Sequence, residues 1–545
     1  MVSWLRRRDP WDTATLILLV VVAVIMFLTF RDYGVSWDEE FSRTQGTDFL
    51  RWYTSGFRDY SIMRTQLDEY LYGHFFNTIS ILVSDHLPFG PYEGGHLVIA
   101  MTGLLGIFFA YRLGRLLAGP MAGFLSALIL TLTPTYFGHS FINPKDLPFA
   151  VFFLVAVYYL VRLYDELPAP RARAVVVTGI AIGLALGIRV GGVILFGYLV
   201  VLVGLWYLVR YTRQRSLRTA IVATDVRDTL VAMILIVALA WAVMLVWWPF
   251  AQLDPIANPL AGIQKSASYS SAKWTNLYQG TYTPADSLPW HYLPVLFLVM
   301  LPEYYVVGMV AGIAGLVMLM IHNRHGDGKV KTDAVAKLLF CVFAALFPLV
   351  VALVVRPVVY DGTRLFLFVI PPLAVLSGVA IWWLLSRALP PISRMAAALL
   401  LVVIAAATII DMVRLYPYEY AFFNRSSGGI RGAYGRFETE YWGVSYKEGV
   451  DWLSKNYRPD APPASIRVGN TSNPFLTGYY FSADRPSTRR FVQVGLDQNP
   501  NVILSITRWN QHLNYPGRVL HVVERMGTPL LYVIETNPAI EAPSS

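Results

Sequence analysis

Apolar stretches of about 20 residues recur along this chain, separated by short polar connections, and few folds accommodate such a pattern. A helix needs about 20 apolar residues to cross the hydrocarbon core of a bilayer. The first stretch runs from Thr13 to Phe30. Others run roughly over 95–117, 120–137, 147–164, 174–189, 190–209, 229–248, 290–321, 338–355, 364–385 and 394–413. Counted once each, they predict about eleven spanning helices. Composition agrees: with 55% hydrophobic and 14% charged residues, a soluble fold could not cover its surface.

The charges set a direction. Arg6, Arg7 and Arg8 precede the first stretch, as in a signal peptide, but only Arg31-Asp32-Tyr33 follows it, with no small-x-small cleavage site. The stretch therefore reads as a retained first span with a cytoplasmic N-terminus. With alternating direction, the cytoplasmic connections hold Arg112 and Arg115; Arg171 and Arg173; Arg210, Arg213, Arg215 and Arg218; Arg324, Lys329, Lys331 and Lys337; and Arg387 and Arg394. All fall on one side, which is the positive-inside pattern. The net charge of +9 is thereby explained by topology, and no nucleic-acid partner is expected. The single cysteine, Cys341, lies inside an apolar stretch and reads as a packing residue. Trp37, Trp247, Trp248, Trp290, Trp382 and Trp383 sit at stretch ends, where amphipathic rings favour the membrane interface.

An odd number of spans places the C-terminal segment outside. The expected organisation is a membrane domain over 1–414, with large outer loops at 31–94 and 249–289, and an extracytoplasmic α/β domain over 415–545. In the latter, 446–456 reads as a helix, and 466–468, 491–494 and 502–506 read as strands. A hairpin is expected over 519–534, turning at Gly527-Thr528-Pro529. Two places depart from simple spans. The segment around Arg189 reads as a re-entrant feature, and Pro302 is expected to kink or divide the 290–321 stretch. No phosphate-binding lysine loop, dinucleotide glycine fingerprint, metalloprotease motif or internal repeat is present, which disfavours a transporter driven by its own ATPase.

Four polar clusters fall on the predicted outer face. Trp37-Asp38-Glu39-Glu40 follows the first span; adjacent carboxylates suit a general base or a cation site, and the bland alternative is a solvated loop start. In His139-Ser140-Phe141-Ile142-Asn143-Pro144-Lys145-Asp146, a lysine and an acid sit at the mouth of two helices, fit for a phosphate and a hydroxyl; a snorkelling lysine is the plain reading. Arg356 and Arg364, flanking Tyr360-Asp361, defy the positive-inside tendency. An anionic lipid head group is a sufficient reason for them, and Arg189 among its glycines is placed similarly. Tyr282, Trp290, His291 and Tyr292 could stack on sugar rings, although interface anchoring accounts for them equally.

In this order the clusters resemble the polyprenyl-phosphate-sugar-dependent glycosyltransferases of superfamily C, and within them the bacterial protein O-mannosyltransferase-like group. The resemblance rests on Asp38-Glu39, Asn143-Pro144-Lys145-Asp146, Pro289-Trp290-His291-Tyr292-Leu293-Pro294, and Tyr360-Asp361-Gly362-Thr363-Arg364 followed by Pro371-Pro372. After the last span it continues in Tyr416-Pro417-Tyr418-Glu419-Tyr420, Gly435-Arg436-Phe437-Glu438 and Tyr441-Trp442-Gly443-Val444-Ser445-Tyr446. It implies an integral protein of the bacterial inner (plasma) membrane, with its C-terminal domain periplasmic or extracellular. It also implies inverting transfer of one sugar from a polyprenyl phosphate to a hydroxyl of a protein, lipid or glycan. Asp38 would then be the base, assisted by Glu39 and Asp146, while Lys145, Arg189 and Arg364 would neutralise the donor phosphate. His139, Asn143, Tyr282, Trp290, His291, Tyr360 and Asp361 would contact sugar or acceptor. No cofactor is fixed, and magnesium or manganese stays open because some superfamily members use a divalent cation and others do not. The rival is a transporter or flippase of a lipid-linked sugar, in which the same charges bind without chemistry. A scaffold or receptor leaves the charged loops unexplained.

Overall fold

The computed structural model describes residues 9–64, 69–214, 222–267, 274–324, 332–481 and 486–536. Arg6–Arg8, Arg215, Arg218, Lys329 and Lys331 lie outside them. The architecture is a polytopic helical bundle followed by a sheet-containing region. Among the described residues eight helices are long and apolar enough to cross a membrane, and up to ten spans result if two bent pairs count as one each.

This is roughly consistent with the expected number of about eleven, and the difference lies in how short and bent helices are counted. The 174–189 stretch forms the 15-residue helix Ala172–Leu186, too short to count by itself, and leads through the Arg189 turn into the span Val190–Gln214. The 120–137 stretch breaks into Pro120–Thr131 and Pro134–Ile142, bent by 64° where Pro134 ends the first ladder of hydrogen bonds. The division at Pro302 is sharper: Tyr292–Met300 and the following helix meet at 112°.

Proline starts many of these helices, at Pro10, Pro91, Pro120, Pro134 and Pro391, where its missing N–H costs nothing. Asp146–Tyr164 is the central span, with 83% of its apolar window buried, whereas Pro10–Thr29 and Pro391–Leu415 are 17% buried and present apolar faces outward. A helix apolar all round is stable in such a place only against lipid or protein.

The bundle has two unlike ends. Asp12, at the start of the first span, takes two hydrogen bonds from Arg115 at 3.0 Å. Asp165, beyond the last turn of the central helix, pairs with Lys337, and Asp333 pairs with Arg213 at 2.8 Å. The basic connectors therefore gather at one end. The central helix runs about 28 Å to the other end, where Asp146 opens it and the polar clusters meet.

At that second end the large loops fold. Residues 31–94 supply the helices Glu39–Thr54 and Phe75–Ser84, and 249–289 supply two short helices and the hairpin β1 (Thr275–Tyr278) and β2 (Thr281–Pro284). After the last span come β3 (Ile466–Asn470), β4 (Phe491–Gln493), β5 (Val502–Ile506), β6 (Arg518–Arg525) and β7 (Thr528–Glu535). They form one sheet in the order β4-β3-β5-β7-β6, parallel across the first three strands and antiparallel beyond. The helix Tyr446–Asn456 buries Tyr446, Gly449, Val450 and Leu453 and packs on this sheet. Strands, hairpin and helix lie where alternation and turn residues place them.

Candidate active site

The sheet region and the bundle meet over the segment after the first span. Gly34 packs so closely on Val444 that a Cβ would come within 2.1 Å of its carbonyl oxygen. That approach lets the Trp37 N–H donate to the Trp442 carbonyl at 3.0 Å and the Val35 N–H donate to the Tyr480 hydroxyl at 2.9 Å. The Ser36 hydroxyl donates to the Ile142 carbonyl at 2.7 Å. Glu39 accepts from the Ser36 N–H at 2.6 Å and faces His96 Nε2 at 2.9 Å; His96 Nδ1 contacts the Phe30 carbonyl at 3.1 Å. Glu39 is thus buried and engaged on both oxygens, and it holds the turn that presents Asp38.

Asp38 Oδ2 accepts from Arg364 Nη1 at 2.7 Å, and its side chain keeps 23% exposure, against 5% or less for Asp361, Asp146 and Glu39. Arg364 also reaches Asp361 Oδ2, 3.3 Å from its Nε. The other oxygen of Asp361 takes Arg508, which comes from the segment after β5 and donates to the Tyr441 carbonyl at 2.8 Å. Carboxylates and guanidiniums alternate from Asp38 through Arg364 and Asp361 to Arg508. Trp442 and Tyr360 flank Arg364 at 4.9 and 5.1 Å from their ring centres, which offsets part of the cost of burying its charge.

A second set stands beside the first. Asp146 pairs with Arg189 and accepts from Asn143 Nδ2 at 3.2 Å, while Asn143 Oδ1 accepts from the Lys145 and Asp146 N–H groups at 3.1 and 2.7 Å. His139 lies 3.2 Å from Asn143 Nδ2 and 3.4 Å from the Tyr441 hydroxyl. Tyr72 lies beneath Lys145, whose Nζ is 3.9 Å from the ring centre. A Cβ on the neighbouring Gly73 would strike the Gly187 carbonyl at 2.2 Å, so the Tyr72 loop reaches the Arg189 turn only with glycine there. Among the described residues Lys145 has no carboxylate within ion-pairing distance, which leaves its charge for a ligand.

Of the thirteen side chains singled out from the sequence, nine converge here: Asp38, Glu39, His139, Asn143, Lys145, Asp146, Arg189, Asp361 and Arg364, with Tyr360 against the last. Three lie with the β1–β2 hairpin instead. His291 meets the Tyr278 hydroxyl at 2.6 Å, Tyr282 is on β2, and Trp290 is 58% exposed. Arg508, Tyr72 and His96 had no signal in spacing or composition, because each is brought in by a long-range contact. Glu438 stood inside a quoted motif without a role, and Glu440 just before another. Glu440 accepts from the Trp442 and Gly443 N–H groups at 3.0 and 2.6 Å and so shapes the turn that carries Trp442.

Burial pushes the Asp38 carboxyl up, but Arg364, Lys145 and Arg189 together outweigh it and hold the pKa below the ordinary carboxylate value. Asp38 is therefore ionised at neutral pH. Since its folded-state pKa is the lower one, its contribution to stability is complete above about pH 4 and disappears as pH falls through the folded-state value. Acid unfolding in detergent, followed by tryptophan fluorescence, should begin below about pH 4 with a component that Asp38→Asn lacks. Superimposable curves for the two proteins would show that Asp38 carries no such coupling.

The residues present do not fit a divalent cation. Asp38, Asp146 and Asp361 each face an arginine, and among the described residues no group of three or more His, Cys, Asp or Glu side chains could hold a metal ion. A hard cation needs several oxygen ligands, and here those oxygens already serve guanidiniums.

The central helix and its neighbours also carry a family match. Residues 92–247 match the model of the dolichyl-phosphate-mannose-protein mannosyltransferase family. The matched segment contains His96, His139, Asn143, Lys145, Asp146 and Arg189, and the match agrees with the resemblance drawn from the motifs. Among solved structures, the chain is similar to ArnT from Cupriavidus metallidurans bound to undecaprenyl phosphate, at 17% identity and TM-score 0.49, covering 98% of this chain and 100% of that one. It is also similar to the oligosaccharyltransferase AglB from Archaeoglobus fulgidus in complex with an inhibitory peptide and a dolichol-phosphate, at 13% identity and TM-score 0.48, covering 91% and 69%. No curated protein matches the chain.

Proposed function

We propose that this chain is an inverting glycosyltransferase that moves one sugar from a polyprenyl-phosphate donor to a hydroxyl acceptor. The observation that carries the reading is the meeting, at one end of the bundle, of the accessible carboxylate Asp38 with Lys145, Arg189 and Arg364. By the positive-inside rule the basic connectors face the cytoplasm, and the site and sheet region face outward, into the periplasm or the extracellular space.

In this reading Asp38 takes the proton of the acceptor hydroxyl as its oxygen attacks the anomeric carbon. The bond from that carbon to the phosphate oxygen breaks on the opposite face, and the electron pair leaves with the polyprenyl phosphate. Lys145 and Arg189 stabilise the charge on the departing phosphate. Asn143, itself met by His139, holds Asp146, which orients Arg189. The two halves are coupled: phosphate arriving at Lys145 and Arg189 cancels part of the field that depresses the Asp38 pKa, so the base strengthens when the donor is in place.

Mannose is the donor sugar favoured by the matched family model, and protein, lipid and glycan are the acceptor classes. The family match gives the transporter reading no support. The test is purified protein with a panel of radiolabelled polyprenyl-phosphate sugars, scoring release of polyprenyl phosphate. Turnover of at least one donor is expected; donor binding without turnover, even with crude membranes supplying acceptor, would favour transport instead. Lys145→Met is expected to raise the donor KM by roughly 10- to 100-fold, the value of one charge-assisted hydrogen bond. A donor KM within twofold of the wild type would remove Lys145 from the phosphate site.

A further inference from the structure

Past Arg508 along the charged chain stand buried polar groups that the mechanism above does not use. Glu438 accepts a hydrogen bond from the Leu277 N–H, while its Oε1 is buried and has no protein partner. The Tyr282 hydroxyl is buried and equally without a partner, and it lies within electrostatic reach of Glu438. Arg508 Nε is a third such atom, and Arg508 lies within electrostatic reach of Glu438. Buried polar atoms are almost always hydrogen-bonded, so several orphans in one place call for a ligand that supplies the missing partners.

We propose that Glu438 and Tyr282, backed by Arg508, form an acceptor subsite for a carbohydrate, an inference that rests on the glycosyltransferase reading above. The position fits. Glu438 feels Arg508 and Asp361, whereas Asp38 feels Arg364, Lys145 and Arg189. Glu438 thus joins the charged chain at its Arg508 end and the phosphate-binding cations join it at its Asp38 end, and in an inverting displacement the acceptor enters opposite the leaving group.

The chemistry fits as well. A carboxylate oxygen, a phenol and a guanidinium N–H ask for adjacent donors and acceptors, which vicinal sugar hydroxyls provide. A serine or threonine side chain has one hydroxyl, and that one must point to Asp38. Burial also pushes the Glu438 carboxyl up to about 7, so it can accept from or donate to a hydroxyl near neutral pH. The hairpin carries Tyr282 on β2, and it is pinned to the sheet region where Trp509 Nε1 donates to the Thr275 carbonyl at 2.9 Å. Trp509 adopts a left-handed backbone (φ 55°) to do so, a conformation that persists only where surrounding contacts enforce it.

The experiment uses the full-length protein in lipid nanodiscs with the donor that the panel above identifies. Release of polyprenyl phosphate is measured against methyl mannoside, methyl glucoside and a serine/threonine-rich peptide as acceptors. At least one methyl glycoside should stimulate release and the peptide should not. Glu438→Gln and Tyr282→Phe, both nearly isosteric, should each raise the glycoside KM about tenfold, as losing one hydrogen bond worth ~1.4 kcal/mol does, with the donor KM within twofold of the wild type. Stimulation by the peptide alone, no stimulation by any glycoside, or glycoside KM values unchanged in both variants would overturn the proposal. Absence of release from every donor in the wild type would instead count against the glycosyltransferase reading itself.

Discussion

Asp38→Asn should lower kcat for sugar transfer by about 10²- to 10⁴-fold, the usual contribution of a positioned general base. The substitution keeps the shape of the side chain, and an amide oxygen can still accept from Arg364, so the turn held by Glu39 and His96 should persist. The donor KM should change little, because Lys145 and Arg189 remain. Transfer at the wild-type rate would remove Asp38 from the chemistry and shift attention to the remaining oxygens of the cluster. The same assay on Glu39→Gln separates base from support. That variant weakens the His96 contact, and the loss of transfer should track loss of thermal stability instead of appearing in a well-folded protein.

Arg364→Ala is the second large effect, and it differs in kind. Arg364 is 7% exposed and serves two carboxylates, Asp38 at 2.7 Å and Asp361 at 3.3 Å. Its removal leaves those charges without their shared partner in a poorly solvated place, at a cost of about 3–5 kcal/mol. Thermal unfolding in detergent should therefore fall markedly, and transfer should fall with it. Arg364→Lys keeps the charge but cannot span both carboxylates with one ammonium, so an intermediate loss is expected. Wild-type stability in the alanine variant would mean that the alternating chain from Asp38 to Arg508 contributes little.

The legible and the hidden parts of this protein divide along a physical line. Spans, strands and the 446–456 helix were readable because each depends on local periodicity, which is written into consecutive residues. The angles of the bends were not readable, because length and hydropathy do not register them. The 64° and 112° breaks at Thr133 and Leu301 depend on how short helices pack, and Pro134 and Pro302 announce only that a break is allowed.

In the site the same division holds. Asp38, Lys145, Asp146, Arg189 and Arg364 stood out because charge at the edge of an apolar stretch is costly and needs a reason. Their pairing did not stand out. Nothing local in Thr507-Arg508-Trp509 says that Arg508 meets Asp361, nor does Asp38-Glu39-Glu40 say which acid faces the open side. Glu39 and Asp38 differ by one position along the chain; one points to His96 at the top of a span and the other to Arg364 across the site. Sequence determines which charges reach the membrane end of the bundle, because hydropathy and helix length act residue by residue. Only the tertiary structure decides which of those charges neutralise one another and which stay free, because that depends on distances of a few ångströms between segments hundreds of residues apart.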